Sequence, residues 1–89
     1  MYRLSFSPDA RRDLKLLEKK APSALKKLYV LLAELEQHPR SGTGQCERLK
    51  HFEEETWSRR ITREHRLVYR IYDDYVEVLV VSAYGHYED

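Results

Sequence analysis

The sequence predicts an α+β fold: two helices in the N-terminal half pack on one face of a mainly antiparallel β-sheet, in the order β-α-α-β-β-β. Three observations carry this reading. Leucines recur at helical spacing through the first part of the chain, and apolar residues alternate with polar ones in the last part. Between them lies "RSGTGQ", a flexible connector holding two of the three glycines.

The elements follow in order. Tyr2, Leu4 and Phe6 alternate with Arg3 and Ser5, which is the pattern of a short half-buried strand. "SPDA" then starts a helix: Ser7 can cap it, Pro8 suits its first turn, and Asp9 suits the positive end of the helix dipole. Ala10, Leu14 and Leu17 share one face of that helix. After the break at "KKAPSA", Leu25, Leu28, Leu32 and Leu35 form the stripe of a second, longer helix. His38-Pro39 ends it, because a residue preceding proline is pushed out of the helical region. Beyond the connector the period becomes two. Trp57, Arg59 and Ile61 alternate with Ser58, Arg60 and Thr62, and Leu67, Tyr69 and Ile71 alternate with Arg66, Val68 and Arg70. "YDDY" reads as a turn into a last strand containing Val76, Val78 and Val80, and there is room for a short extra strand around Leu49.

Register gives the first inference about chemistry. The helices need one continuous apolar sheet face, which Trp57, Ile61, Leu67, Tyr69, Ile71, Val76, Val78 and Val80 can supply. Directly opposed residues of an antiparallel pair share a face, so Arg60 and Arg66 are expected across from one another on the face away from the helices. Two like charges there repel, and an anion between them would be stabilising. A two-residue "DD" turn would set Arg70 opposite Glu77 as a surface ion pair.

The totals bound the class of protein. Eighty-nine residues make one small domain, 1–89. The chain is 42% hydrophobic and 35% charged, which suits a compact fold rather than a disordered one. Sixteen Lys and Arg against fifteen Asp and Glu leave a formal charge of +1, so any anionic partner must be met by local clustering. Basic residues do cluster, on "ERLKH", "WSRR" and "REHR", while "FEEE" and "YDD" carry much of the acid. The lone Cys46 cannot form an intramolecular disulfide, and no apolar run approaches membrane-spanning length. A cytoplasmic protein with no membrane partner is expected. The histidines lack metal-ligand spacing, no glycine motif cradles phosphate, and no metal or cofactor is indicated.

"ERLKH", the run "WSRRITREHRLVYR" and the terminal "HY" together resemble the YoeB/Txe toxins, within the RelE superfamily of toxin–antitoxin systems. The resemblance covers essentially the whole chain. It implies a RelE-like, microbial-ribonuclease-like fold and a ribosome-dependent mRNA endoribonuclease. It also implies a YefM-like antitoxin, the 70S ribosome with its mRNA, and a homodimer as partners. In such enzymes the RNA 2′-hydroxyl attacks its own phosphorus, which needs a base, a cation for the charged phosphorane, and an acid for the leaving oxygen. By this resemblance Glu47 is the general base, Arg66 the phosphate-stabilising cation and His86 the general acid. Lys50, Arg60 and Tyr87 would bind substrate, with Tyr87 stacking on a base. Cys46 and Arg48 stand where the family often has prolines, so a less rigid loop around Glu47 is expected.

Each residue has a plainer role to weigh. A lone glutamate is usually a solvated carboxylate, His51 and His65 read as structural, and Cys46 is rejected as a nucleophile. His86 can act only if the tail folds back, for which Gly85 offers the bend. The alternative function is a non-enzymatic toxin of the same superfamily, or a degenerate antitoxin-binding protein. A pure binder would not need Glu47, Arg66 and His86-Tyr87 together.

Overall fold

A computed structural model describes residues 1–85. The strands and helices are β1 (Arg3–Phe6), α1 (Pro8–Lys20), α2 (Pro22–Gln37), β2 (Glu47–Leu49), β3 (Thr56–Arg60), β4 (Arg66–Tyr72) and β5 (Glu77–Ser82). The short strand expected around Leu49 is β2. The sheet order is β1-β5-β4-β3-β2, antiparallel throughout except that β1 lies parallel to β5.

Helix ends follow their sequence signals. Ser7 caps α1 by accepting the Ala10 amide at 3.0 Å, and its hydroxyl also donates to the Val81 carbonyl at 2.8 Å. One side chain thus ties the helix start to β5. His38 closes α2 at φ −139° and ψ 72°, outside the helical region that Pro39 disfavours for its predecessor.

The core lies between the two helices and one sheet face. Ala10 and Leu17 of α1 and Ala24, Leu28, Leu31, Leu32 and Leu35 of α2 pack against Leu67, Tyr69, Ile71, Val78 and Val80. The innermost row of α2 runs 24, 28, 31, 35, a slightly different stripe from the predicted one; Leu25 is only partly buried beside it. Trp57 also packs at the edge, its indole N–H donating to Glu55 at 2.7 Å.

The turn between β4 and β5 corrects two expectations. It is a single 3₁₀ turn, Asp73–Tyr75, closed by Val76 in the left-handed region at φ 50° and ψ 47°. Tyr72 therefore faces Glu77, and Arg70 faces Leu79 on one side and Thr56 on the other. The Arg70–Glu77 pair does not form; Glu77 instead accepts from Ser5 at 2.8 Å and meets Arg3 at 3.7 Å. Val76 is not a strand residue and does not join the core, being 47% exposed.

Among the described residues no helix is long and apolar enough to cross a membrane.

Candidate nucleic-acid interface

The chemistry-bearing residues gather on the sheet face opposite the helices, and strand alternation puts them there. Arg60 and Arg66 are direct partners across β3 and β4, Ser58 faces Val68, and Thr56 faces Arg70. On the next strand Glu47 faces Ser58. Glu47, Ser58, Arg60, Arg66 and Arg70 therefore share one face, with the like-charge pair expected from register at its centre.

Arg66 leans across β3, donating from Nη2 to Ser58 Oγ at 3.1 Å. Since Ser58 is also the partner of Glu47, the guanidinium bonds the residue directly paired with Glu47 on the neighbouring strand. Glu47 is exposed at the start of the edge strand β2. Lys50 follows that strand, also exposed, and with Glu47, Arg48, Leu49 and His51 it lines an open hollow of about 400 Å³. Arg60 is half-buried, and among the described residues its Nε is shielded from solvent without a hydrogen-bond partner. Arg70 Nε is in the same condition.

Backbone packing fixes where Arg60 stands. The Arg60 amide donates to the Gly44 carbonyl. A Cβ on Gly44 would sit 2.8 Å from the Arg60 carbonyl oxygen, and the residue has φ +91°, so only glycine lets the connector lie this close.

The opposite face of β3 shows what a fully satisfied arginine looks like. Arg59 is fully buried. Its Nε donates to Tyr69 Oη at 3.0 Å and its Nη1 to Glu34 at 2.8 Å, while Nη2 reaches the carbonyls of His38 and Ser41. Burial opposes its charge, but the Tyr69, Cys46 and Glu34 contacts outweigh that and hold its pKa above the usual value. Hydrogen bonds from Thr43, with the charge of Arg59 beside them, hold the Glu34 carboxyl below the ordinary glutamate range. Burial pushes the Tyr69 phenol up, as does the Cys46 contact at 3.5 Å, while Arg59 pulls the other way. Cys46 Sγ thus lies against the Tyr69 hydroxyl on the helix side of the sheet.

His86 and Tyr87 lie outside the described residues. The chain leading to them does turn back on the sheet. Asp13 accepts the Ala83 amide at 2.9 Å, and Gly85, at φ +78°, has its carbonyl bonded by the Arg66 amide at 2.9 Å. His65 is structural as expected, its Nδ1 accepting the Gly85 amide at 2.9 Å. His51 is an exposed turn residue at φ 72°.

Sequence reasoning missed two things here. Arg70 belongs to the basic face, and the alternation Arg66, Val68, Arg70 already signalled it. Arg59 is the buried anchor, and the same alternation set it on the side of Trp57 and Tyr69.

The chain matches the family model for YoeB-like toxins of bacterial type II toxin–antitoxin systems over residues 6–87. It is 38% identical over 87 residues to Toxin YoeB of Mycobacterium bovis, covering 98% of this chain and all of that one. Its fold is similar to a YoeB/ParE toxin from Agrobacterium tumefaciens, with TM-score 0.87 and 29% identity over 96% of this chain and 99% of that chain. It is also similar to the Staphylococcus aureus YoeB, solved as a dimer, with TM-score 0.83 and 33% identity over 97% of this chain and 98% of that one. In a heterotetrameric YoeB–YefM toxin–antitoxin complex the same protein gives TM-score 0.80, again at 33% identity, with 98% of this chain and 99% of that chain covered. The chain belongs to the YoeB-like toxins of bacterial type II toxin–antitoxin systems.

Proposed function

We propose that this toxin is a ribosome-dependent mRNA endoribonuclease that cuts mRNA in the ribosomal A site and so stops translation. The observation that carries the proposal is the pairing of Arg60 with Arg66 on the open sheet face, one strand from Glu47. Opposed guanidiniums are unfavourable on their own and become favourable around a phosphate, which each can grip through a planar fork.

The reaction needs no metal. Glu47 takes the proton of the RNA 2′-hydroxyl as the 2′-oxygen attacks the adjacent phosphorus. Arg66, assisted by Arg60, stabilises the extra negative charge of the phosphorane. The bond to the 5′-oxygen then breaks, His86 gives that oxygen a proton, and the products are a 2′,3′-cyclic phosphate and a free 5′-hydroxyl. Lys50 holds a neighbouring phosphate, and Tyr87 stacks on a base. Carboxylate and guanidinium one strand apart suit groups that must reach the hydroxyl and the phosphate of a single nucleotide.

The chain carries a near-balanced net charge, so it lacks the general positive field that a free nuclease uses to hold RNA. A local basic face suits docking on ribosomal RNA, with the ribosome presenting the message. The same face suits an acidic segment of a YefM-like antitoxin, by analogy with the Staphylococcus aureus complex, and a toxin homodimer follows from the same relative. The site of action is the cytoplasm.

The test is cleavage of a defined mRNA programmed into 70S ribosomes, with the cut mapped by primer extension and its 3′ end analysed for a cyclic phosphate. A ribosome-dependent cut ending in a cyclic phosphate is expected. No cut by folded wild-type protein would turn the basic face into a docking surface of a non-enzymatic toxin.

A further inference from the structure

Among the described residues, three hydrogen bonds and a ring contact fix residues 83–85. Two of the bonds meet at Gly85. Its carbonyl accepts the Arg66 amide at 2.9 Å, and its own amide donates to His65 Nδ1 at 2.9 Å. The third joins Ala83 to Asp13 at 2.9 Å, and the His65 ring lies 4.6 Å from the Tyr84 ring. The last residue of the β3–β4 turn and the first of β4 therefore hold both backbone polar groups of one glycine.

The imidazole is itself carried on a pinned turn. Thr62 Oγ1 accepts the His65 amide at 3.2 Å and the Glu64 amide at 3.2 Å. The His65 carbonyl accepts from Ile61 at 3.0 Å and Thr62 at 3.1 Å. A backbone N–H can only donate, so Nδ1 must present its lone pair to Gly85 and the ring proton must sit on Nε2. Gly85 has φ +78°, and a Cβ there would meet nothing within 4 Å. Among the described residues nothing fills the outer side of the bend, and His65 and Arg66 hold it by hydrogen bonds.

We propose that His65 is a positioning residue for the C-terminal segment: by accepting the Gly85 amide it fixes, with the Arg66 amide, the bend that precedes His86 in the sequence. The inference rests on the ribonuclease reading for its functional consequence. A general acid one residue beyond a loosened anchor would miss the leaving oxygen, and a displacement of about 1 Å can cost on the order of 100-fold in rate.

Two substitutions separate the acceptor from the ring. His65→Phe keeps a ring against Tyr84 and removes the acceptor. His65→Asn loses the ring and returns an acceptor oxygen to nearly the position of Nδ1. Cleavage on programmed ribosomes is expected to fall about 100-fold in His65→Phe, the cost of a misplaced acid, and to be largely recovered in His65→Asn. Hydrogen exchange of the Gly85 amide, followed by NMR on the full chain, should show protection in wild type and His65→Asn and its loss in His65→Phe. A merely structural histidine would not be rescued by asparagine. His65→Phe that cuts like wild type, or that keeps Gly85 protected, would overturn the proposal. If wild type makes no cut, the ribonuclease reading fails and Gly85 exchange alone decides: loss in His65→Phe upholds the anchor, and unchanged protection rejects it.

Discussion

Arg59 and Arg60 are neighbours in sequence and opposites in circumstance. Arg59 points to the helices, is fully buried, and has its guanidinium bonded to Glu34, Tyr69 and two backbone carbonyls. Arg60 points to the open face, stands across from another arginine, and has an Nε without a partner among the described residues. The first arrangement is complete without a ligand; the second improves when an anion arrives. One residue type in one strand therefore serves architecture on one side and, in the proposed function, recognition on the other, with strand alternation setting the side.

The sharpest way to break this contrast is to remove each arginine in turn. Arg59→Ala empties a fully buried site and leaves Tyr69 Oη and two backbone carbonyls without their donor, which should cost roughly 3–5 kcal/mol of stability, read by urea unfolding. Leu28→Ala, a neutral truncation in the same core, should cost roughly 2–5 kcal/mol and gives the scale for pure packing loss. Arg66→Ala should leave the unfolding midpoint nearly unchanged while lowering ribosome-dependent cleavage by roughly 100- to 1000-fold, as for loss of a preorganised transition-state donor. Arg60→Gln relieves the like-charge pair and should raise stability slightly, by roughly 0.2–1 kcal/mol, while weakening cleavage. That opposite movement of stability and activity is the mark of a residue kept for function.

Acid sharpens the comparison from the other side. Glu34 is held below its ordinary pKa of 4.5 by Thr43 and Arg59, and Glu55 by Arg40, which grips it with two hydrogen bonds of 2.8 and 2.9 Å. A depressed carboxylate stabilises the fold above its unfolded pKa, and that contribution is lost as pH falls through the folded value. The melting temperature should therefore drop below about pH 4.5, and the drop should be shallower in Glu34→Gln, whose own baseline is lower because the ion pair to Arg59 is gone. Melting curves by circular dichroism at several pH values check both.

Much of this was legible in the residues. The alternation of the two strands set Arg60 opposite Arg66, and Ser7, Pro8 and His38-Pro39 marked the helix ends where they fall. The β4–β5 turn was misread because "DD" between strand-like residues suits a two-residue hairpin. The chain instead places Val76, a β-branched residue, in the left-handed region, a conformation no local rule favours for valine. That one choice shifted the register so that Arg70 meets Leu79 in place of Glu77, while the β4 alternation kept it on the basic face. Arg59 was invisible as an anchor for a different reason: its partners Glu34, His38 and Ser41 come from α2 and the connector, and only tertiary packing brings them to β3. The same holds for His65, whose bond to Gly85 spans twenty residues of sequence.

The central claim is that the arginine pair facing away from the helices is a phosphate site and not a structural element. The most direct measurement is the single-turnover cleavage rate on mRNA-programmed ribosomes for wild type and Arg66→Ala, with the unfolding midpoint of each taken on the same preparations. The account predicts a folded Arg66→Ala protein, with an unfolding midpoint close to wild type and a cleavage rate lower by roughly two to three orders of magnitude. An Arg66→Ala protein that cuts at the wild-type rate, or that loses activity only because it unfolds, would contradict it.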